Sequence, residues 1–395
     1  MINETAYALG AKRSAIRDLF EYGCARAAVV GRENVFDFSL GNPSIPAPAA
    51  VGDTLSALLA DTDPLTLHGY TSAVGDLATR QAIAADLNDR YPDAQVDPGN
   101  LFLTCGAAPA LTAVFRALAV PGAEVLAIAP FFPEYRPFAE SAGLDFRVVP
   151  ADVPDFQIDL ETLSAMINAH TVGVIVNSPN NPSGTVYTEE TLKKLAELLK
   201  EKAAQFGHPV YIIADEPYRE LAYGVDVPFI PCIYPDTLVC YSYAKSLSLP
   251  GQRIGYVYVS KTASDSRWLY DAVCGAARSM GHVCAPSLMQ KVIARCAHLR
   301  PDLEAYAKNR KALYEGLVAA GYTVAKPDGA FYLFVKAPGC SAAEFSEMAK
   351  KKDLLVVPGD SFGCPDYFRL CYCVSYDTIQ RSLPIFAQLI RNENG

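Results

Sequence analysis

Between residues 101 and 260 the chain alternates two kinds of hydrophobic spacing. Short, nearly continuous apolar runs stand at LFLTCG (101–106), EVLAIAP (124–130), DFRVVPA (145–151), VGVIVNSP (172–179), VYIIADEP (210–217), LVCYSYAKS (238–246) and RIGYVYVS (253–260). Runs of this length, bounded by turn residues, read as buried strands. In the intervening APALTAVFRALAV (108–120) and TEETLKKLAELLKEKAAQFG (188–207), apolar residues return every three or four positions, the period of a helix with one buried face. Alternating strand and helix predicts an α/β unit: a three-layer large domain on a mainly parallel, seven-stranded sheet.

The pattern differs on either side. Upstream, VFDFSLGNPSIPAP (35–48) is extended and ends in Gly and Pro signals, while VGDTLSALLAD (51–61) and AVGDLATRQAIAADLNDRY (73–91) read as helices around a turn-rich LHGYTS (67–72). Downstream, a helical run over 286–321 is broken at Pro301 and followed by GAFYLFVKA, SAAEFSEMAKKK, LLVVPGDSFG, YFRLCYCVS and a closing helix. That is an α+β layout. The expected organisation is an N-terminal segment, 1–45, contributing to the smaller unit and to site closure, a large domain over 46–285, and a small domain over 286–395.

Composition narrows the function classes. The 395 residues are 51% hydrophobic, enough for a sizeable core, with 34 basic against 43 acidic side chains and a net charge of -9. An acidic balance disfavours binding to a nucleic-acid backbone. No apolar run approaches the ~18 residues of a membrane span, and the charged opening lacks a signal-peptide core, so a cytoplasmic protein is expected. Eleven scattered cysteines and five histidines form no regular metal-binding spacing, so no metal is expected.

Candidate chemistry gathers where the strands end, since carboxyl ends of parallel strands form the ligand crevice of open α/β sheets. Lys245, after an apolar strand, is either a surface cap or a desolvated amine able to attack an aldehyde. Ser242 and Arg253, with Ser246 and Ser248, offer donors for a phosphate. An aldehyde bearing a phosphate describes pyridoxal 5'-phosphate, whose chemistry also asks for an acid facing its ring nitrogen. Asp215, at the end of VYIIA, is that acid or a turn residue. Asn181 and Tyr218 are placed to donate to the ring's phenolate oxygen. Gly106, Ala107 and Ala108 at a helix start offer backbone N–H groups to an anion. Phe132 is a ring for stacking or plain core packing. Arg369, inside an apolar run, is either an internal ion pair or a fork for a carboxylate.

Taken in this order, NNPSG (180–184), DEPY (215–218), SYAKS with GQRIGY (242–256), GAFYLF and FRLCY resemble the fold-type I pyridoxal-phosphate enzymes, specifically the class I and II aminotransferases related to aspartate aminotransferase. The resemblance covers roughly 30 to 385. It implies that Lys245 is the Schiff-base lysine and proton shuttle, Asp215 the pyridinium partner, Asn181 and Tyr218 the phenolate donors and Phe132 the stacking ring. It further implies that Gly106, Ala107, Ala108, Ser242 and Arg253 form the phosphate cup, that Arg369 clamps the substrate carboxylate, and that Gly41 lies in a segment closing on substrate. Tyr70 would reach the partner's cofactor across a homodimer. PSG stands where relatives have PTG, and AAP puts small apolar side chains where they often carry polar ones.

Substrate remains open on these grounds. Arg278 stands about where dicarboxylate-specific relatives place a distal-carboxylate arginine from the neighbouring subunit, which would suit aspartate or glutamate with 2-oxoglutarate; alternatively it snorkels from a helix. Without it, a pocket lined by Tyr135 and Tyr70 would suit aromatic or medium-sized neutral amino acids. Arg13 and Arg17 are weaker candidates. The same electron sink also serves a C–S β-lyase or an aspartate decarboxylase, and a cofactor-sensing regulator is an alternative of another class.

Overall fold

The computed structural model describes residues 1–11 and 14–392. After two opening helices, Glu4–Ala11 and Ala15–Val30, comes a short strand β1 (Phe36–Asp37). The seven apolar runs then become β2 (Leu101–Thr104), β3 (Glu124–Ile128), β4 (Asp145–Val149), β5 (Thr171–Asn177), β6 (Tyr211–Asp215), β7 (Thr237–Ser242) and β8 (Gly255–Val259). They form one sheet in the order β2-β8-β7-β6-β5-β3-β4. Only β8 runs against the rest, pairing antiparallel with both β2 and β7.

Near-continuous hydrophobicity is what a sheet covered on both faces requires. Val174, Val176, Ile212, Ala214, Val239 and Tyr241 point into one core, with the helices Ala49–Asp61, Leu77–Arg90, Glu189–Phe206 and Ser287–Cys296. Ile175, Ile213, Leu238 and Cys240 point into the other, against Ala107–Leu118, Tyr135–Ala142 and Ser266–Ser279. Each large aliphatic side chain so buried contributes ~1.5–3 kcal/mol, which makes this alternation the main source of cohesion.

A smaller, antiparallel sheet follows, β11-β12-β9, built from β9 (Tyr332–Lys336), β11 (Val357–Pro358) and β12 (Tyr367–Cys371). The helices Leu303–Ala320, Ala342–Lys350 and Tyr376–Asn392 supply its core. β10 (Leu354–Leu355) pairs parallel with β1, so the start of the chain is tied to the small sheet. The helix Ala15–Val30 rests there too, with Leu19 against Leu355, Val357 and Phe362.

One helix begins later than its periodicity suggests. The pattern at 73–91 forms a helix only over Leu77–Arg90, because Asp76 caps it by accepting from the Thr79 N–H and Gly75 takes φ +102° just before. Among the described residues no helix is long and apolar enough to cross a membrane, no His/Cys/Asp/Glu group could hold a metal ion, and all eleven cysteines are free thiols.

Candidate active site

The carboxyl ends of β2, β5, β6 and β7 and the loop after β3 meet at one edge of the large sheet, joined by the beginning of β8, which its reversed direction brings to the same place. The register is tight there: Asn177 pairs with Asp215, Asp215 with Cys240, and Ser242 with Gly255. A cavity of about 280 Å³ opens above this edge, and its walls include Gly41, Ala107, Ala108, Phe132, Asn181, Asp215, Tyr218, Ser242, Lys245, Arg253 and Arg369. Eleven of the sequence-selected residues are thus brought together. Gly106 stands just behind them as N-cap of the helix Ala107–Leu118, at φ +96°, and a side chain there would run into the Arg253 guanidinium.

Asp215 is 5% exposed. Its Oδ2 accepts a hydrogen bond from the Tyr135 hydroxyl, its backbone carbonyl accepts from Asn177 Nδ2 at 2.8 Å, and Oδ1 has no partner. Burial pushes this carboxyl up to about 7, against a downward pull from the Tyr135 hydroxyl and with Glu216 adding to the rise. Lys245 sits in the one-turn helix Tyr243–Ser246 that follows β7, and its Nζ donates to Gly41 O at 2.6 Å. Burial holds the amine below the usual lysine range against an opposing pull from Cys373 and Cys371, and the Arg369 and Arg253 guanidinium groups lower it further.

Arg369 comes from β12 of the small sheet and is 2% exposed. Its Nη1 donates to Asn181 Oδ1 at 3.0 Å and its Nη2 to Ser39 O at 2.6 Å, while Nε has no partner. The guanidinium lies between the rings of Tyr332, 4.7 Å away, and Phe362, 5.1 Å away. A buried cation needs such company. Tyr332 also shares a 3.1 Å hydrogen bond with the Tyr218 hydroxyl.

The turn NSPNNPSG divides its labour among three buried asparagines. Asn177 bonds Asp215 and, through Oδ1, accepts from the Asn181 N–H at 2.7 Å. Asn180 Nδ2 reaches Pro130 O at 3.2 Å, and its Oδ1 accepts from Ser183 N and Oγ. Asn181 alone faces the cavity. Gly184 turns the chain at φ +73°, where an added Cβ would come within 2.8 Å of Tyr332 O.

Several expectations are corrected. Tyr135 does not line a substrate pocket: it is 1% exposed and spends its hydroxyl on Asp215. Ser246 turns to the Tyr241 hydroxyl at 2.8 Å, and neither it nor Ser248 lines the cavity. Tyr70 and Arg278 are a different case, each expected to act on a neighbouring subunit's site: Tyr70 is 89% exposed, and Arg278 lines a separate cavity with Phe102, Cys274 and His282. Arg17 is exposed and off the cavity wall, and Arg13 lies outside the described residues. Conversely, Ile16, Leu40 and Tyr332 line the cavity without having been singled out in the sequence. Only Tyr332 left a signal there, as a polar aromatic inside GAFYLF that would need a hydroxyl partner once buried.

Comparison with known proteins gives a consistent picture. The family model for aminotransferase class I and II matches residues 33–384. A probable N-acetyl-LL-diaminopimelate aminotransferase of Bacillus subtilis is 30% identical, over 90% of this chain and 89% of its own. The aspartate aminotransferase of Thermotoga maritima is 27% identical, over 91% and 92%. Among solved structures, an amino transferase from Eubacterium rectale superposes with a TM-score of 0.98 at 54% identity, covering 100% of both chains. The Thermus thermophilus aspartate aminotransferase with maleate gives a TM-score of 0.85 at 26% identity, covering 98% of this chain and 99% of that one.

Proposed function

This chain belongs to the class I and II aminotransferases, pyridoxal-phosphate enzymes that pass an amino group from an amino acid to a 2-oxo acid, and from that premise we propose which of its groups do the work. The observation that carries the reading is that one cavity brings together a buried amine, a buried carboxylate with a free oxygen and a buried guanidinium.

These residues fit the cofactor. Asp215 Oδ1 is an unpaired, buried acceptor of the kind that a protonated ring nitrogen would satisfy. At about 4 Å and an effective dielectric near 20, that pairing is worth roughly 4 kcal/mol before desolvation. The Ala107 and Ala108 N–H groups, Ser242 and Arg253 would hold the phosphate. Asn181 through Nδ2 and Tyr218 through its hydroxyl would hold the phenolate oxygen, and Phe132 would cover a ring face. When bound, the cofactor supplies an electron sink conjugated to the substrate Cα, which no side chain offers.

The remaining work falls to the protein. Lys245, its amine kept easy to deprotonate by burial, binds the aldehyde and afterwards takes and returns the Cα proton. Arg369 orients the substrate through its α-carboxylate and so presents the Cα–H bond to Lys245. The assembly we propose is a homodimer. Segment 67–71 is bonded to 287–290 through Ser287 Oγ to Leu67 O, 2.8 Å, and Gln290 Nε2 to Thr71 Oγ1, 2.9 Å. Around it Leu65, Tyr70 and Val283 are 85%, 89% and 61% exposed, apolar area of the kind that a second copy covers, bringing Tyr70 to the other site. Free thiols throughout favour a reducing, cytoplasmic setting. For domain limits we place the division of large and small units near Pro301, because Ser287–Cys296 packs with the large sheet.

The test is a purified preparation offered a panel of amino acids. Visible absorbance from lysine-bound cofactor is expected, conversion to the amine form by at least one donor, and loss of that absorbance with a ~10²–10⁴-fold or larger drop in turnover for Lys245→Ala. Release of pyruvate or ammonia without a 2-oxo acid acceptor would instead mean a lyase.

A further inference from the structure

Tyr332 opens β9, and strand pairing decides what its side chain meets. It stands opposite Cys371 in the small sheet, while Arg369 stands opposite Phe334. Opposed residues share a face, as do residues two apart on one strand, so Tyr332 and Arg369 are diagonal neighbours, near enough for an aromatic and a long side chain to touch. The ring does meet the cation, with the guanidinium 4.7 Å from its centroid. At the tip of the same ring, the hydroxyl shares its 3.1 Å hydrogen bond with Tyr218, from the turn after β6. Tyr332 is 2% exposed and lines the cavity together with both.

Proton counting gives the direction of the hydroxyl bond. A phenol has one proton to donate. If Tyr218 gives its own to the cofactor's phenolate oxygen, the proton between the two tyrosines comes from Tyr332. Burial pushes both hydroxyls up, while their shared bond pulls Tyr218 down and Tyr332 up, the signs of a Tyr332 donor and a Tyr218 acceptor. The charged and titratable groups around the pair are Asp215, Lys245, Arg369 and the Cys371 thiol. A hydroxyl that accepts one bond donates a stronger one, because each bond polarises the next. Asn181, the other proposed phenolate donor, leans on the same side chain through Arg369, whose Nη1 donates to Asn181 Oδ1 at 3.0 Å and leaves Nδ2 as the donating end of that amide.

Resting on the functional reading above, we propose that Tyr332 is a positioning residue with two separable parts. Its hydroxyl strengthens the bond from Tyr218 to the cofactor, and its ring face fixes the plane of the Arg369 fork for the substrate carboxylate.

The experiment compares the wild-type holoenzyme with Tyr332→Phe, Tyr332→Leu and a variant carrying pentafluorophenylalanine at 332, which keeps the ring's shape and abolishes the negative charge of its face. The visible absorbance of lysine-bound cofactor is titrated with pH in the absence of substrate, and kcat and KM are measured for the best donor of the amino-acid panel. Every variant lacks the hydroxyl, so in each the spectral midpoint should rise by about 0.5 pH unit, since a phenolate oxygen less firmly held keeps a shared proton to higher pH. KM should stay within about threefold of wild type in Tyr332→Phe and rise by about 3–30-fold in the other two, where the cation loses its ring face. An unmoved midpoint in Tyr332→Phe would overturn the role of the hydroxyl. Equal KM values with phenylalanine and pentafluorophenylalanine at 332 would overturn the role of the ring, whether or not Tyr332→Leu folds. A wild type that shows no cofactor absorbance and converts no donor would instead bring down the functional reading itself.

Discussion

Asp215 is a buried carboxyl with one oxygen unpartnered, and burial raises its pKa. A carboxyl whose pKa is higher folded than unfolded stabilises the fold fully below the unfolded value, ordinarily 3.8, and loses that contribution as pH rises through the folded value of about 7. The cofactor-free protein should therefore lose on the order of 4 kcal/mol from this one group between about pH 4 and pH 7. Asp215→Asn removes the ionisation, so its cofactor-free form is expected to melt above the wild type at pH 8, with the gap closing toward pH 5, while cofactor uptake weakens. A gap that does not vary with pH would refute this account. Tyr135→Phe acts in the opposite sense to the hydroxyl it deletes: the Asp215 pKa rises further and one oxygen more loses its donor at a cost of ~1–3 kcal/mol, so the melting temperature of the cofactor-free form should keep falling with pH beyond the range in which the wild type's levels off. Lys245, Asp215 and Arg369 were legible in the sequence because a charge at the end of an apolar run, or within one, must find a partner or a use. Tyr135 was not, since its partner stands 80 residues away and only the pairing of strands reveals the two as neighbours.

Elements were legible wherever burial is two-sided. All seven runs became strands because a sheet between two helical layers leaves no polar alternation to misread. The segment 39–41 is harder, since an extended loop with Gly and Pro gives no hint of what it will approach. Its glycine is explained by space: a Cβ at Gly41 would run into the Tyr332 hydroxyl. Gly41→Ala is expected to cut kcat/KM tenfold or more, by moving the carbonyl that meets Lys245 or displacing Tyr332 from Arg369. Adding Tyr332→Phe should recover part of the loss, and a double-mutant cycle with no coupling would show that the two residues do not press on one another.

At the scale of the whole molecule, the large sheet supplies the cradle proposed for the cofactor and the small sheet supplies Arg369 and Tyr332, so the cavity needs both. In the sequence the proposed assembly rests on family resemblance alone, because an exposed Leu65 or Val283 looks there like any core residue. Sedimentation should find a dimer, and Leu65→Glu combined with Val283→Glu should shift it toward monomer with loss of turnover; a wild-type monomer at full activity would contradict the proposed assembly.

The lone counter-running strand, β8, has a consequence for how such a chain comes together. Because it returns directly alongside β7, Lys245 and Arg253 hang from the single connection between Ser242 and Gly255, and closing a loop of that length costs far less chain entropy than bringing in a distant element. On the proposed reading, the grip on both ends of the prosthetic molecule would therefore be a local property, available as soon as one hairpin has closed. The recognition of the incoming acid proposed for Arg369 would wait for a residue more than a hundred positions later to dock from the other sheet.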